Sequence, residues 1–176
     1  WQGELDGHIK NAQEKIEAKE KANSIQKQTT LSVKLKKTAE TLTFKEHDTS
    51  NLDSTLDAAG LLGSGKDAVK GAIMDFNQLA HLHKDMNEAL DGAFSHFQKK
   101  ESLNSMKAVN TLRQHVNNRM SAKKNNTAYK KIAALSPDSG NTDDNQQIAK
   151  INQAIEAFEA KQREIEKKYT NTPVSL

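Results

Sequence analysis

Residues 64–120 read SGKDAVKGAIMDFNQLAHLHKDMNEALDGAFSHFQKKESLNSMKAVNTLRQHVNNRM, and this stretch decides the fold. Its apolar side chains recur at steps that are mostly three, four or seven residues. That spacing keeps side chains on one face of an α-helix, so we expect the core to be built on this stripe. Its members are Val69, Ile73, Phe76, Leu79, Met86, Leu90, Phe94, Phe97, Met106, Val109, Leu112, Val116 and Met120.

The composition of the whole chain supports a helical interpretation. Of the 176 residues, 35% are hydrophobic, 5% aromatic and 28% charged, which is little core material for a compact globule. Long amphipathic helices need only a narrow apolar seam, and two prolines and eight glycines impose few breaks. The sequence therefore predicts one all-α domain over residues 1–176, an elongated antiparallel bundle of three to five helices with coiled-coil-like packing.

The N-terminal region has a thinner apolar pattern. We expect a helix over residues 4–28 that needs a partner to be stable, because isolated helices are marginal in water. Residues 29–44 fit a strand or a helix, and we favour a helix because nothing else in the chain would pair with a strand. The two β-branched residues Thr29 and Thr30 mark a plausible break between the two segments.

Polar and glycine-rich segments divide the rest of the chain. Residues 45–50 are predicted to form a turn, with Ser50 capping a short helix and Ser64 capping the central one. The apolar stripe stays in phase across Glu101 and Ser102, but the length of the stretch favours two helices that meet there.

The C-terminal part should contain a helical turn or two over 127–135, an exposed loop at 136–143, a helix over 144–169 and a loose tail at 170–176. In the last helix, apolar residues alternate at three and four, a heptad seam that fits packing within the bundle or a contact between copies through 148–169. The seam consists of Ile148, Ile151, Ile155, Phe158, Gln162, Ile165 and Tyr169.

Positive charge is concentrated in residues 99–131. This window has nine basic residues and one acidic residue, so its net charge is +8. Because the net charge of the whole chain is +3, the rest of the chain carries −5. We regard it as a candidate surface for an acidic protein or an anionic membrane, against the simpler interpretation of a solvated face that pairs with neighbouring helices. Tyr129 is its only aromatic residue, which argues against nucleic acid. The basic residues are Lys99, Lys100, Lys107, Arg113, Arg119, Lys123, Lys124, Lys130 and Lys131.

Two patterns resemble chemical sites, and each has a simpler explanation. Residues 60–67, GLLGSGKD, approach the phosphate-binding loop, but Asp67 stands where that motif needs Ser or Thr, and no strand is expected before it. His81 and His83 are two residues apart, which on a helix points them to nearly opposite sides, so they cannot chelate one ion. His83 is in phase with the apolar stripe and is predicted to be buried.

No arrangement of residues indicates catalysis. The chain has no cysteine, and no serine, histidine or carboxylate is placed as a nucleophile, a general acid or base, or a cofactor ligand would be. No apolar run approaches the ~20 residues of a membrane-spanning helix. We therefore expect a non-enzymatic, exported protein without cofactor or metal, which binds an acidic or helical protein surface. The alternatives are a membrane-surface protein or helical toxin component acting through residues 99–131, and a carrier of a small apolar ligand in the bundle core.

Overall fold

The computed structural model describes residues 1–42, 45–121 and 142–170, with the side chains of 119–121 left aside. These ranges form an all-α bundle without a strand, as predicted. The helices of the described ranges are α1 (Gln2–Leu42), α2 (Leu52–Ala58), α3 (Gly63–Lys99), α4 (Leu103–Ser121) and α5 (Thr142–Thr170).

Helix α1 is continuous over 41 residues, or about 60 Å. The break considered at Thr29 and Thr30 does not occur. Their hydroxyl groups donate hydrogen bonds to the carbonyl oxygens of Ile25 and Gln26, at 2.9 and 3.0 Å, in the preceding turn. The helix therefore accommodates both threonines without losing its backbone pattern.

The predictions about helix capping are wrong. The backbone N–H and hydroxyl of Ser50 both donate to the Asp48 carboxylate, so Ser50 closes a local turn, and Asn51 is the residue that precedes α2. The hydrogen bonds from Ser50 lower the pKa of Asp48. Helix α3 begins at Gly63 with Leu62 at its N-cap, two residues before Ser64.

The central stretch is divided as expected, at residues 100–102. Glu101 has a φ of +54°, and its backbone N–H and that of Ser102 donate to carbonyl oxygens in the last turn of α3, at 3.0 Å each. This tight turn reverses the chain, so α4 packs antiparallel to α3. Helix α5 is also antiparallel to α3, because Asp144 lies beside His96 and Tyr169 beside Asp75.

The core lies between α3, α4 and α5 and is concentrated in the second half of α3. Most of the predicted stripe is buried from Met86 onward, whereas Val69, Ile73, Phe76 and Leu79 are only half-buried. The first four residues of the α5 heptad seam are packed into this core, whereas its last residue, Tyr169, is 45% exposed. The buried apolar cluster contains Met86, Leu90, Ala93, Phe94, Phe97, Met106, Val109, Leu112, Val116, Ile148, Ile151, Ile155 and Phe158.

The remaining C-terminal predictions fall partly outside the described residues. Helix α5 begins at Thr142, so the last two residues assigned to the exposed loop are helical. The rest of that loop, the helical turns at 127–135 and the tail from 171 lie outside the described ranges. Within those ranges, no helix has the length and apolar character that crossing a lipid bilayer would require.

Candidate interaction surface

Helix α1 projects beyond the bundle at its N-terminal end. The Asn110 side-chain amide donates to the backbone carbonyl and the side-chain oxygen of Gln28, both at 3.0 Å, and the Asn117 amide donates to the carbonyl of Leu35 at 3.2 Å. Both pairs are separated by 82 residues, so α1 and α4 run parallel and in register. The first residue of α4, Leu103, is therefore level with Lys21.

The first 23 residues are consequently free of the bundle. Every side chain from Trp1 to Asn23 is exposed, over a length of about 35 Å. The thin apolar pattern of the first helix predicted that this helix needs a partner. Among the described residues, only the second half of α1 packs against other helices.

The free half of α1 carries an apolar stripe of its own. Leu5, Ile9, Ala12 and Ile16 follow each other at steps of four, three and four, and we call these four residues the free stripe. Leu5 is 59%, Ile9 49% and Ile16 57% exposed. Single exposed apolar residues are common on protein surfaces, but an aligned row on one helix face is typical of an interaction site.

The free stripe does not face the same way as the bundle-facing side of α1. At 100° per residue, its mean direction is about 150° around the helix axis from the residues that pack on the bundle. Extending the bundle would therefore leave the free stripe uncovered. The bundle-facing residues are Ile25, Gln28, Ser32, Leu35 and Ala39.

The second half of α1 is attached to the bundle by polar contacts. Arg113 of α4 is 2% exposed and binds the Asp91 carboxylate and the carbonyl oxygen of Asn87, the latter at 3.2 Å. Lys36 of α1 lies 3.8 Å from the same carboxylate. The Arg113 contacts join α4 to α3, Lys36 joins α1 to α3, and the asparagine contacts above hold α1 along α4.

The basic window does not form one open surface in the described side chains. Lys99 and Lys107 are exposed, but the Lys100 ammonium donates to Asp144 at 3.0 Å. Arg113 is buried and paired, so it does not belong to a surface that could meet a partner. The other five candidates, Arg119, Lys123, Lys124, Lys130 and Lys131, lie outside the described side chains.

Two charged clusters fasten the ends of α5 to α3. At one end, His96 Nε2 lies 2.6 Å from Asp144 Oδ1. Burial raises the pKa of Asp144, but the hydrogen bonds from His96 and Lys100 outweigh it and lower the pKa overall. Sequence reasoning missed this contact, because nothing in the local pattern shows that residues 48 apart meet.

At the other end of α5, Asp75 accepts hydrogen bonds from Lys168 at 2.8 Å and from the Tyr169 hydroxyl at 3.0 Å. Lys161, which is nearly buried, lies 3.2 Å from the same carboxylate. The hydrogen bond from Lys168 lowers the pKa of Asp75, and the pKa of Lys168 is raised in turn. These opposite shifts show that the ionised pair is favoured in the folded protein.

The near match to a phosphate-binding loop has a structural role. It follows a helix, α2, as expected, and the Lys66 ammonium lies 2.8 Å from Asp57 and 3.6 Å from Asp53. The hydrogen bond to Asp57 raises the pKa of Lys66. The lysine that would bind phosphate in such a motif instead ties the start of α3 to α2.

The histidine pair is divided between the core and the surface. His83 is buried, as its phase predicts, with its ring centroid 5.8 Å from that of Phe158, and burial lowers its pKa. His81 is on the other side of α3, 3.6 Å from both Glu46 and Asp85. In the described part of the chain, no three His, Cys, Asp or Glu side chains converge as metal ligands would.

A cavity of about 310 Å³ opens between α1, α3 and α4. Charged side chains dominate its lining, including Lys36, Lys84, Asp91 and Arg113, and they pair with one another or with close neighbours. The phenylalanines and methionines that suggested a carrier of an apolar ligand are not among its lining residues. Glu40 and Lys45 also line the cavity, so it carries both signs of charge and does not point to one class of ligand.

Comparison of the chain with protein-family models, with curated proteins and with solved structures finds no match. Function must therefore be inferred from the chemistry of the chain itself. Among the described residues, the free stripe combines an ordered secondary structure, an apolar pattern and full access from solvent.

Proposed function

We propose that this chain is a non-enzymatic interaction protein that binds another protein through the free stripe of α1. The supporting observation is that residues 1–23 are exposed all round, yet Leu5, Ile9, Ala12 and Ile16 align on the face directed away from the bundle. The bundle acts as a support that fixes α1 from Gln28 to Ala39 and projects its free half into solvent.

The chemistry of the free half favours a helical protein partner. A helix that adds its own apolar face would cover the free stripe by side-chain packing along the helix axis, which is the usual way that amphipathic helices associate. Outside the stripe, the free half is densely charged with both signs, as is typical of the flanks of such an interface.

A membrane partner is less well supported at this site. Residues 1–23 contain five acidic and four basic side chains, a net charge of −1 without counting His8. Helices that lie on anionic membranes have polar faces rich in Lys and Arg, and each basic residue adds about 1 kcal/mol of attraction. The free half of α1 gains nothing from that effect.

The proposal places the interaction at α1, whereas the charge pattern alone pointed to residues 99–131. The burial of Arg113 and the pairing of Lys100 with Asp144 reduce the open positive charge of that window. Export from the producing cell remains a prediction, on which the described residues have no bearing.

Site-specific photo-crosslinking in the producing cells tests the proposal. A photoreactive amino acid replaces Ile16 in one variant and Glu14 in the other, because these positions are two residues apart and point to nearly opposite sides of α1. We expect a discrete crosslinked protein from position 16 and none from position 14. Equal labelling at both positions, or no crosslink at position 16, would contradict the proposal.

A further inference from the structure

We propose that the partner of the free stripe is a second copy of this chain, bound in a parallel two-stranded coiled coil through residues 2–23. This inference rests on the proposed function and names the partner. It follows from three properties of the free half: the residue types at its heptad positions, the charges that flank them, and the direction in which the bundle lies.

The a positions of the free half have the residue types of a parallel dimer. Isoleucine at a with leucine at d favours two parallel strands, and a single asparagine at an a position fixes register and strand number. The free half has Ile9 and Ile16 at a and Asn23 at the next a position, while its d positions hold Leu5, Ala12 and Lys19. The complete seam is Gln2, Leu5, Ile9, Ala12, Ile16, Lys19 and Asn23.

The flanking charges favour the parallel orientation. In that arrangement, the g position of one helix lies near the following e position of the other, so Lys15 meets Glu20 of the second copy, and the symmetry produces this contact twice. An antiparallel pair that matched the same apolar residues would place Leu5 opposite Ile16 and His8 opposite Lys15. That orientation gains no opposite-charge contact across the seam.

The position of the described helices is compatible with such a dimer. The free stripe is directed about 150° away from the bundle-facing side of α1, so both bundles would lie on the outer sides of the dimer. The seam also ends near Asn23, where α1 begins to contact the rest of the chain. Two bundles can therefore lie side by side without competing for the space between the two α1 helices.

The first test measures mass against concentration by sedimentation equilibrium. We expect the mass to rise from the monomer value of 19.5 kDa towards twice that value as the concentration increases. Ile16→Gln should weaken the dimer at least tenfold, and Glu14→Gln, on the far side of the helix, should leave it unchanged. Neither residue touches the core, so circular dichroism and Tm, measured in solutions dilute enough to contain only monomer, should match those of the unmodified protein.

The second test determines orientation, which the absence of native cysteine makes simple. Gln2→Cys places a single thiol at an a position, where the two copies face each other only in a parallel pair. We expect this variant to form a disulfide-linked dimer on mild oxidation and Glu14→Cys to remain monomeric. A dimer in which Gln2→Cys does not link to itself but does link to a Lys19→Cys chain would overturn the parallel arrangement.

A monomer at every concentration, without a Gln2→Cys disulfide, would overturn the second copy as partner. The crosslinking experiment then separates the two proposals. If position 16 still captures a different protein, the stripe is an interaction site for that protein and only the self-association is wrong. If position 16 captures nothing, the proposed function is wrong as well.

Discussion

The contact between Arg113 and Asp91 provides an asymmetric test of how α4 is held in the bundle. Arg113 is 2% exposed, while the Asp91 side chain is 34% exposed and also lies 3.8 Å from Lys36. Removing Asp91 would leave a buried cation whose remaining partner, among the described residues, is the Asn87 carbonyl. Removing Arg113 would leave a carboxylate that water and Lys36 can still stabilise.

The two substitutions should therefore have very different costs. Breaking a buried ion pair costs about 3–5 kcal/mol, and the partial exposure of Asp91 reduces this to about 2–3 kcal/mol for Asp91→Ala. Arg113→Met replaces the arginine with an apolar side chain of similar reach. This substitution should lower the free energy of unfolding by less than about 1 kcal/mol, because the remaining Asp91 carboxylate is still reached by water and Lys36.

Urea denaturation followed by circular dichroism measures both effects. With a slope of about 2 kcal/mol/M, Asp91→Ala should lower the midpoint by about 1 M and Arg113→Met by less than 0.5 M. The double variant should be about as stable as Arg113→Met, because it no longer contains the buried cation that makes Asp91→Ala destabilising. If Arg113→Met is as destabilising as Asp91→Ala, the reasoning about burial is refuted.

Three further predictions concern the core around α3, the charged cluster around Asp75 and the turn between α3 and α4. Phe97→Ala should destabilise the protein by about 3–5 kcal/mol in thermal or urea unfolding because it leaves a cavity in the core, whereas Leu62→Ala, at an exposed position, should change stability by less than about 0.5 kcal/mol. Asp75→Asn should cost about 1–3 kcal/mol at pH 7. The lowered pKa of folded Asp75 means that its contribution to stability is present above the unfolded value of 3.8 and is lost as the pH falls through the folded value. The difference in unfolding free energy between the two proteins should therefore shrink as the pH falls below 3.8, and a constant difference would contradict this. Glu101→Gly should stabilise the turn by about 0.5–1 kcal/mol, as a residue with a φ of +54° loses the strain of its Cβ, and a lower Tm for this variant would argue against that strain.

The sequence predicted the helical class and most of the core, because periodicity reports directly on which side chains share a helix face. The burial of Met86, Leu90, Phe97 and Leu112 follows from that pattern. It also indicated that the first helix needs a partner. Local pattern alone does not show which half of a long helix receives that partner within the chain, since the answer depends on where α4 begins.

Other features depend on long-range contacts that no local pattern contains. The charge of Arg113 suggested a surface residue, but α4 lies between α1 and α3, so the side next to its apolar stripe is buried as well. The serine caps at Ser50 and Ser64 were plausible by residue type. Ser50 does not cap α2, because its backbone N–H and hydroxyl donate to Asp48. Ser64 does not cap α3, because the helix already begins at Gly63, which has a φ of +57°.

The central claim is that the free half of α1 is uncovered in the isolated chain and covered in the complex with its partner. Hydrogen exchange of the backbone amides over residues 2–23, measured in dilute and in concentrated protein, tests this against residues 28–39 of the same helix. We expect rapid exchange of residues 2–23 in dilute solution, because a helix without tertiary contacts opens readily, and marked protection as the concentration rises. Equal protection of both segments at the lowest concentration would contradict the account, because it would mean that the chain itself covers the free stripe.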